Sequence, residues 1–181
     1  MNVRVLALLT AIASLLWIHG LSAAEPSAAG LWQQFDDASG KTQGWFLILE
    51  RNGVYEGVIA KMFMDPGEDP NPLCTHCEGD QKNAPWLGLT FIKGMKRNGM
   101  KYEDGTILDP RYGTVYRAIM ELSPDGQTLT VRGYLGIELL GQNQIWKRLP
   151  DSAVAELDPA LRLKYEMSKP AAAKKQPAGI R

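Results

Sequence analysis

The stretch Cys74-Thr-His-Cys77 brings together both cysteines of the chain and one of its two histidines. Two thiols at this spacing can form a disulfide, bind a metal or exchange disulfides with another protein. A c-type haem site would need a histidine directly after the second cysteine, and Glu78 stands there instead. The stretch therefore leaves three kinds of chemistry open: a structural disulfide, zinc binding and thiol–disulfide exchange.

The N-terminus indicates the compartment in which these thiols would work. It has the three parts of a secretory signal peptide: a basic start at Met1–Arg4, an apolar run at Val5–Ile18 and small residues up to Ala24. The apolar run is shorter than the ~20 residues that a membrane-spanning helix needs. We therefore expect cleavage after Ala24 and export of the protein to the periplasm or the medium.

Export favours oxidation of Cys74 and Cys77 to a disulfide, and the chain has no further cysteine that could pair with them. Structural zinc usually takes four Cys or His ligands, whereas this stretch offers three, so we expect no metal site. A thioredoxin-like pair lies at a helix N-terminus that depresses the thiolate pKa, and this pair lies in a loop rich in Pro and Gly. A structural disulfide is the prediction, with redox activity as the alternative.

The charge balance and the missing motifs exclude several function classes. Twenty basic and twenty acidic residues cancel, which argues against nucleic acid as a partner. No apolar segment after Ile18 is long enough to cross a bilayer, so we expect no stable membrane insertion after signal removal. His76 is the histidine that remains after cleavage, and the hydrolase, zinc-protease and phosphate-loop motifs are absent. The sequence therefore favours a protein that is not an enzyme and has no cofactor.

Short alternating segments separated by turns predict an all-β fold, a small antiparallel barrel or sandwich. The predicted strands are Trp45–Glu50, Val54–Met64, Trp86–Ile92, Thr114–Leu122, Thr128–Tyr134 and Gly136–Trp146, with turns at residues 51–53, 97–99, 103–105 and 123–126.

The chain divides into four segments by composition. Residues 1–24 are the signal peptide and residues 25–150 the β-barrel domain, which contains a long loop from Asp65 to Pro85. Residues 151–168 form a short helical extension, in which Asp158 caps the helix and Pro159 takes its first position. Residues 169–181 are dominated by Pro, Ala and Lys and are expected to be a disordered tail.

Several separated motifs resemble a family of exported bacterial proteins known as domain of unknown function 2147. They are Gly30-Leu-Trp32 with Asp36, Asp69–Pro72, Leu87–Leu89, Gly105–Pro110 with Gly113 and Tyr116, Arg132–Gly136, and Gln144–Arg148. The first and last motifs are also similar to those of lipocalins and their calycin relatives. In those barrels a tryptophan on the first strand covers one end and a late arginine packs on it. The resemblance implies export and a lipocalin-like barrel, and it implies no particular activity.

A set of aromatic and polar residues in these motifs could contact a ligand. The candidates are Trp32, Trp86, Asp109, Tyr116, Arg132, Tyr134, Trp146 and Arg148. An aromatic-lined cavity would suit an apolar or amphipathic ligand, whereas a small barrel can also be filled by its own side chains. The segment Ile107–Gly113 is either a ligand-contacting rim or a turn, and the glycines of Arg132–Gly136 mark either a barrel corner or a close approach of ligand to backbone.

Three functions follow from these observations. The first is the binding of a small apolar or amphipathic ligand in the barrel. The second is an interaction module or inhibitor of the cell envelope, with a filled core and an exposed apolar patch for an unknown protein partner. The third is a thiol–disulfide redox protein.

Overall fold

Eight strands close into an antiparallel barrel in which each strand pairs with its neighbours along the chain. The structure, a computed structural model, describes residues 25–166, so the predicted signal peptide (1–24) and tail (169–181) lie outside the described residues. The strands are β1 (Gly30–Phe35), β2 (Thr42–Arg51), β3 (Val54–Met62), β4 (Thr90–Asn98), β5 (Lys101–Asp109), β6 (Thr114–Leu122), β7 (Thr128–Tyr134) and β8 (Gln142–Arg148). Pairing of β1 with β8 closes the barrel. The predicted all-β antiparallel barrel is confirmed.

The predicted turns and alternation account for most of the strands. At the β2–β3 hairpin, Asn52 and Gly53 both have positive φ, 54° and 79°, as the favoured two-residue turn requires. On β6, Ala118, Met120 and Leu122 are buried in the barrel interior, and the intervening residue Glu121 is exposed. The period of two therefore places one face of the strand inside the barrel and the other outside, where Val115, Arg117 and Glu121 are exposed.

The bounds of several strands differ from the sequence-based prediction, and three of the differences have a clear local cause. β4 begins at Thr90 rather than Trp86, because the preceding residues belong to the long loop and Gly88 turns the chain with φ 81°. The turn predicted at 103–105 is an irregularity inside β5, where Asp104 has φ 66°. β8 begins at Gln142 rather than Gly136, because Glu138–Leu140 form a 3₁₀ turn.

The two ends of the barrel differ in how they are covered. At one end the strands are joined by tight hairpins, and residues 25–29 lead into β1 there; we call it the closed end. At the other, the open end, the connections are residues 36–41, 63–89, 110–113 and 135–141. The connection 63–89 is by far the longest, and it contains the cysteine pair.

The predicted disulfide between Cys74 and Cys77 is present. The long loop folds back on itself around it: Cys74 N donates to Ala84 O at 2.8 Å and Trp86 N donates to Pro72 O at 3.0 Å. Cys74 is fully buried, Cys77 is 3% exposed, and both belong to the same apolar cluster as the barrel interior. The loop is thus packed against the barrel as part of its core.

The C-terminal segment covers the outer face of β1–β3. It consists of a 3₁₀ turn at Asp151–Glu156 and the short helix α1 (Pro159–Lys164), and Leu161 packs with Leu31 and Trp45 in a second buried cluster. Asp158 accepts hydrogen bonds from the backbone nitrogens at the start of α1, at 2.8 and 3.3 Å. The predicted C-terminal helix and its cap are confirmed. Across residues 25–166, no helix has both the length and the apolar character that crossing a membrane demands.

Candidate binding site at the open end of the barrel

The interior near the closed end is filled by the protein's own side chains. Large side chains with no exposed surface are Trp32, Met95, Tyr102, Met120, Leu129 and Trp146. A side chain with no exposed surface has no water-sized space beside it, and close packing of this kind is typical of protein interiors. The hydroxyl of Tyr102 accepts a hydrogen bond from Ala28 N at 2.9 Å, so this polar group is also satisfied. These side chains leave no room for a ligand in this half.

Towards the open end, side chains that face the interior keep exposed surface. The register places Gln34 of β1 opposite Trp146, and Gln144 precedes Trp146 by two residues on the same face of β8. Gln144 is exposed and Gln34 is half-buried. Inward-facing side chains are exposed where the interior opens to solvent, so we infer a recess at this end of the barrel. We call it the mouth recess; its lining residues are Gln34, Phe46, Met62, Ile107, Tyr116, Gln142 and Gln144.

The mouth recess combines aromatic surface with uncharged hydrogen-bonding groups. Phe46 packs against Phe91 and Trp146 with ring centroids 4.9 and 4.5 Å apart, which gives the recess an aromatic floor. Gln144 Oε1 accepts a hydrogen bond from Trp146 Nε1 at 3.2 Å, and its amide nitrogen remains a donor. None of the seven lining side chains carries a charge, and Asp109, which shares the face of Ile107 on β5, is paired with Arg111. This lining suits a small molecule that has an apolar part and a neutral polar group.

Gly133 shapes one wall of the recess. It faces inward from β7, and a Cβ built on it would lie 3.2 Å from Ile107 Cγ2 and 3.6 Å from Tyr116 Cβ. Ile107 and Tyr116 therefore occupy the space that a side chain at this position would need. The glycine therefore allows side chains of neighbouring strands to pack closely against β7. Its backbone is not open to a ligand, which was the other interpretation of this motif.

Three of the candidate residues, Trp32, Trp146 and Arg148, form the closed end. The Arg148 guanidinium lies 4.2 Å from the centre of the Trp32 ring, and its nitrogens donate to the backbone oxygens of Gly126, Ala29 and Ser27. Burial lowers the pKa of Arg148, since water is excluded from its charge. This arrangement closes the barrel end. Of the three residues, Trp146 alone also contacts the mouth recess, because its ring forms part of the aromatic floor.

Asp109 organises the β5–β6 turn. Its carboxylate accepts two hydrogen bonds from the Arg111 guanidinium, at 3.0 and 2.8 Å, and one from Arg111 N at 3.0 Å. This pairing raises the pKa of Arg111. Gly113 follows with φ 70°. Of the two interpretations of Ile107–Gly113, a ligand-contacting rim or a turn, the turn is correct for Asp109. Tyr116, which follows on β6, lines the mouth recess.

The remaining candidates, Arg132, Tyr134 and Trp86, are not among the residues that line the recess. Arg132 and Tyr134 face outward from β7, opposite the buried face of that strand, and Tyr134 is covered by Arg117 at 5.6 Å. Trp86 is half-buried in the long loop. Arg132 lines a polar groove of about 350 Å³ on the outer surface, together with Lys101, Ile119, Glu121, Thr130, Glu138 and Asn143. The eight candidates thus divide among the closed end, the mouth, the β5–β6 turn, the long loop and the outer surface.

Gln34, Gln142, Gln144 and Phe46 were not among the candidates predicted from the sequence. The signal was present on β8, where Gln142, Gln144 and Trp146 alternate with Asn143 and Ile145 and so share a face. A glutamine is usually exposed, so its position on the inward face becomes meaningful only when the register is known. Within the described residues, no group of three or more His, Cys, Asp and Glu side chains could hold a metal ion.

Comparison with known proteins supports the fold. The family model "Uncharacterized protein conserved in bacteria (DUF2147)" matches residues 30–148. No curated protein matches the chain. A solved structure from Helicobacter pylori, protein HP1028, is described as belonging to the lipocalin family; it is 18% identical, with a TM-score of 0.61 over 76% of this chain and 97% of that one. The barrel described above is therefore similar to a lipocalin.

Proposed function

We propose that this chain, which belongs to the DUF2147 family of uncharacterised bacterial proteins, binds a small uncharged amphipathic ligand in the mouth recess of its lipocalin-like barrel. The observation that carries the proposal is the contrast along the barrel axis. Inward-facing side chains are fully buried near the closed end, whereas Gln142 and Gln144 face inward and are exposed near the open end. A ligand would therefore lie in a shallow site above the aromatic floor.

The lining of the recess supports this choice of ligand. Phe46 and Ile107 provide apolar surface, and the amides of the glutamines provide donors and acceptors for a hydroxyl, amide or ester group. A charged ligand finds no opposite charge on the lining, and the nearby Asp109 is already paired with Arg111. Neutral amphipathic molecules should therefore bind better than their charged analogues.

The test uses N-phenyl-1-naphthylamine, a neutral fluorescent probe, and its sulfonated analogue. Gln144→Trp places a bulky ring inside the recess and should weaken binding of the neutral probe by at least about tenfold. The matched control is Ile145→Trp, which adds the same ring to the adjacent residue on the outer face. Equal affinity of wild type and Gln144→Trp would contradict the proposal, and native mass spectrometry of protein purified from cells should show a bound small molecule.

An interaction module is the second candidate, favoured by the filled closed half and by exposed apolar side chains at the open end. It predicts that the probe binds weakly and that Gln144→Trp has no effect. The redox alternative receives no support from the surroundings of the pair, because Cys74 and Cys77 are buried, whereas reactive thiols are accessible.

We also propose that the protein works outside the cytoplasm, in the periplasm or the medium. The support is the three-part N-terminal pattern of Met1–Ala24, together with the disulfide, which an oxidising compartment favours. The mass of protein recovered from the periplasmic fraction should correspond to a chain that begins at Glu25. Recovery of the full-length chain in the cytoplasm would contradict this localisation.

A further inference from the structure

We propose that one half of the open end docks on the surface of a lipid bilayer. The surface concerned, which we call the apolar rim, consists of exposed side chains from the β5–β6 and β7–β8 connections and the strand start beside them. Its members are Tyr112, Val115, Leu135, Ile137, Leu139 and Leu140. This inference goes beyond ligand binding and does not depend on it.

The β7–β8 connection displays its apolar side chains to solvent. Leu139 is 82% exposed and Leu140 75%, and Leu135 and Ile137 are each 60% exposed. Burying four side chains of this kind would be favourable, since apolar area gains free energy when it leaves water. A contiguous exposed apolar patch on a folded protein usually marks an interaction surface.

The loop is held in this arrangement by hydrogen bonds. Leu140 N donates to Ile137 O at 3.3 Å, and Gly141 N donates to Glu138 O at 2.9 Å. Arg132 Nη1 also donates to Glu138 O at 2.9 Å, so the base of the loop is tied to β7. The leucines are therefore presented by a defined 3₁₀ turn, and little ordering would be needed on binding.

The open end is divided into an apolar half and an acidic half. Strand order places the connections 110–113 and 135–141 next to each other, and the connections 36–41 and 63–89 next to each other; near His76 the connection 63–89 also contacts 110–113. The second pair carries the carboxylates Asp36, Asp37, Asp65, Glu68, Asp69, Glu78 and Asp80. An anionic surface would repel this half, so the barrel would meet it tilted, with the apolar rim in contact.

Positive charge lies beside the apolar rim. Arg117 is exposed on the outer face of β6, and within residues 25–166 no carboxylate lies within ion-pair distance of it. Glu138, the acid of the β7–β8 loop, lines the outer groove that it shares with Lys101 and Arg132. Apolar side chains flanked by arginine are suited to the interface of a bilayer that contains anionic lipids.

A bilayer fits the shape of this surface better than a second copy of the chain. A stable protein interface uses about 20–30 residues a side, far more than the six side chains of the apolar rim. A short protruding loop can instead insert its leucines among lipid headgroups without a complementary groove. The docked orientation would also bring the mouth recess close to the lipid.

The test measures flotation of protein that begins at Glu25 with phosphatidylcholine vesicles, alone or mixed with phosphatidylglycerol. Leu139→Glu should weaken partitioning by at least about tenfold, because a charge replaces an inserted side chain. Leu163→Glu is the matched control, since Leu163 is 80% exposed but lies on α1, on the opposite side of the barrel. Arg117→Glu should weaken binding to the mixed vesicles and leave binding to phosphatidylcholine unchanged.

Two outcomes would overturn the proposal: no flotation of the wild-type protein with either vesicle, or equal flotation of Leu139→Glu and Leu163→Glu. The second outcome would assign any binding to another part of the chain. The temperature of thermal unfolding serves as the fold control, because Leu139 is 82% exposed and Leu139→Glu should leave it unchanged. Membrane docking and ligand binding can fail separately.

Discussion

At the scale of single residues, Gly30 shows why the first strand needs a glycine two positions before its tryptophan. Gly30 has φ 135°, and a Cβ built on it would lie 2.5 Å from Arg148 Nη1. The absent side chain leaves the space that the guanidinium occupies above Trp32. Gly30, Trp32 and Arg148 thus act as one unit that seals the barrel end, with cation–π attraction and three backbone acceptors.

Arg148→Lys should lower the free energy of unfolding by about 2 kcal/mol. A lysine ammonium cannot replace the three guanidinium donors at once, so some of the backbone oxygens of Gly126, Ala29 and Ser27 lose their hydrogen bonds. Arg117→Lys is the matched control: Arg117 also lies over an aromatic ring, but it is exposed, so the change should stay within about 0.5 kcal/mol. Urea denaturation measures both. Equal losses in the two variants would contradict the role given to the carbonyl contacts.

The Trp32–Arg148 contact could be predicted from the sequence, because its two partners stand in recognisable motifs at the ends of the barrel domain. Gln34 and Gln144 could not be identified in the same way. Their importance comes from the pairing of β1 with β8, which joins segments at opposite ends of the domain. Such long-range register is not encoded in any local pattern.

At the scale of elements, alternation predicted β6 and β7 with their observed bounds because each has one buried and one open face. β3 is different, since both of its faces are covered. Tyr55 and Ile59 point into the barrel, whereas Val58 and Ala60 lie beneath the C-terminal segment. A strand buried on both sides reads as a continuous apolar run, and the sequence alone does not show which face is inside.

The long loop docks on the β5–β6 connection at Gly113. A Cβ at this position would lie 2.0 Å from His76 O, and Cys74 Sγ is 3.4 Å from Pro110 O. The carbonyl of the loop therefore takes the place of a side chain. This contact fixes the segment that carries the disulfide against the open end.

Gly113→Ala should cost more than about 3 kcal/mol of stability, because it adds a backbone clash to the strain of a positive φ. Gly53→Ala is the matched control: Gly53 also has positive φ, but nothing lies within 4 Å of its Cβ position, so about 1 kcal/mol is expected. Urea denaturation gives the two costs. Similar costs for both variants would mean that the loop moves aside easily.

At the scale of the whole molecule, two separate buried apolar clusters stabilise the fold. One fills the barrel interior and includes the disulfide, and the other joins the outer face of β1–β3 to the C-terminal segment. Short alternating segments separated by turns predicted a small antiparallel barrel or sandwich. Which half of that barrel is filled depends on how side chains from all eight strands meet, so it could not be read from the sequence.

Because the disulfide belongs to the interior cluster, its reduction should require unfolding of the whole barrel. Cys74 has no exposed surface and Cys77 is 3% exposed, so a reductant cannot reach either sulfur in the folded protein. Thiol–disulfide exchange needs direct attack on a sulfur atom. The rate of reduction should therefore rise with urea as steeply as the population of unfolded protein does.

The measurement is the fraction of Cys74 and Cys77 alkylated after pulses of dithiothreitol at increasing urea, followed by mass spectrometry. Gly113→Ala should speed reduction in the absence of urea, because its clash with the long loop lowers the free energy of unfolding; Gly53→Ala costs less stability and should have a smaller effect. Rapid reduction of the wild-type protein without urea, at a rate independent of stability, would instead show that the loop opens alone. Such a loop would make the thiols available for exchange and would favour the redox function over a structural disulfide.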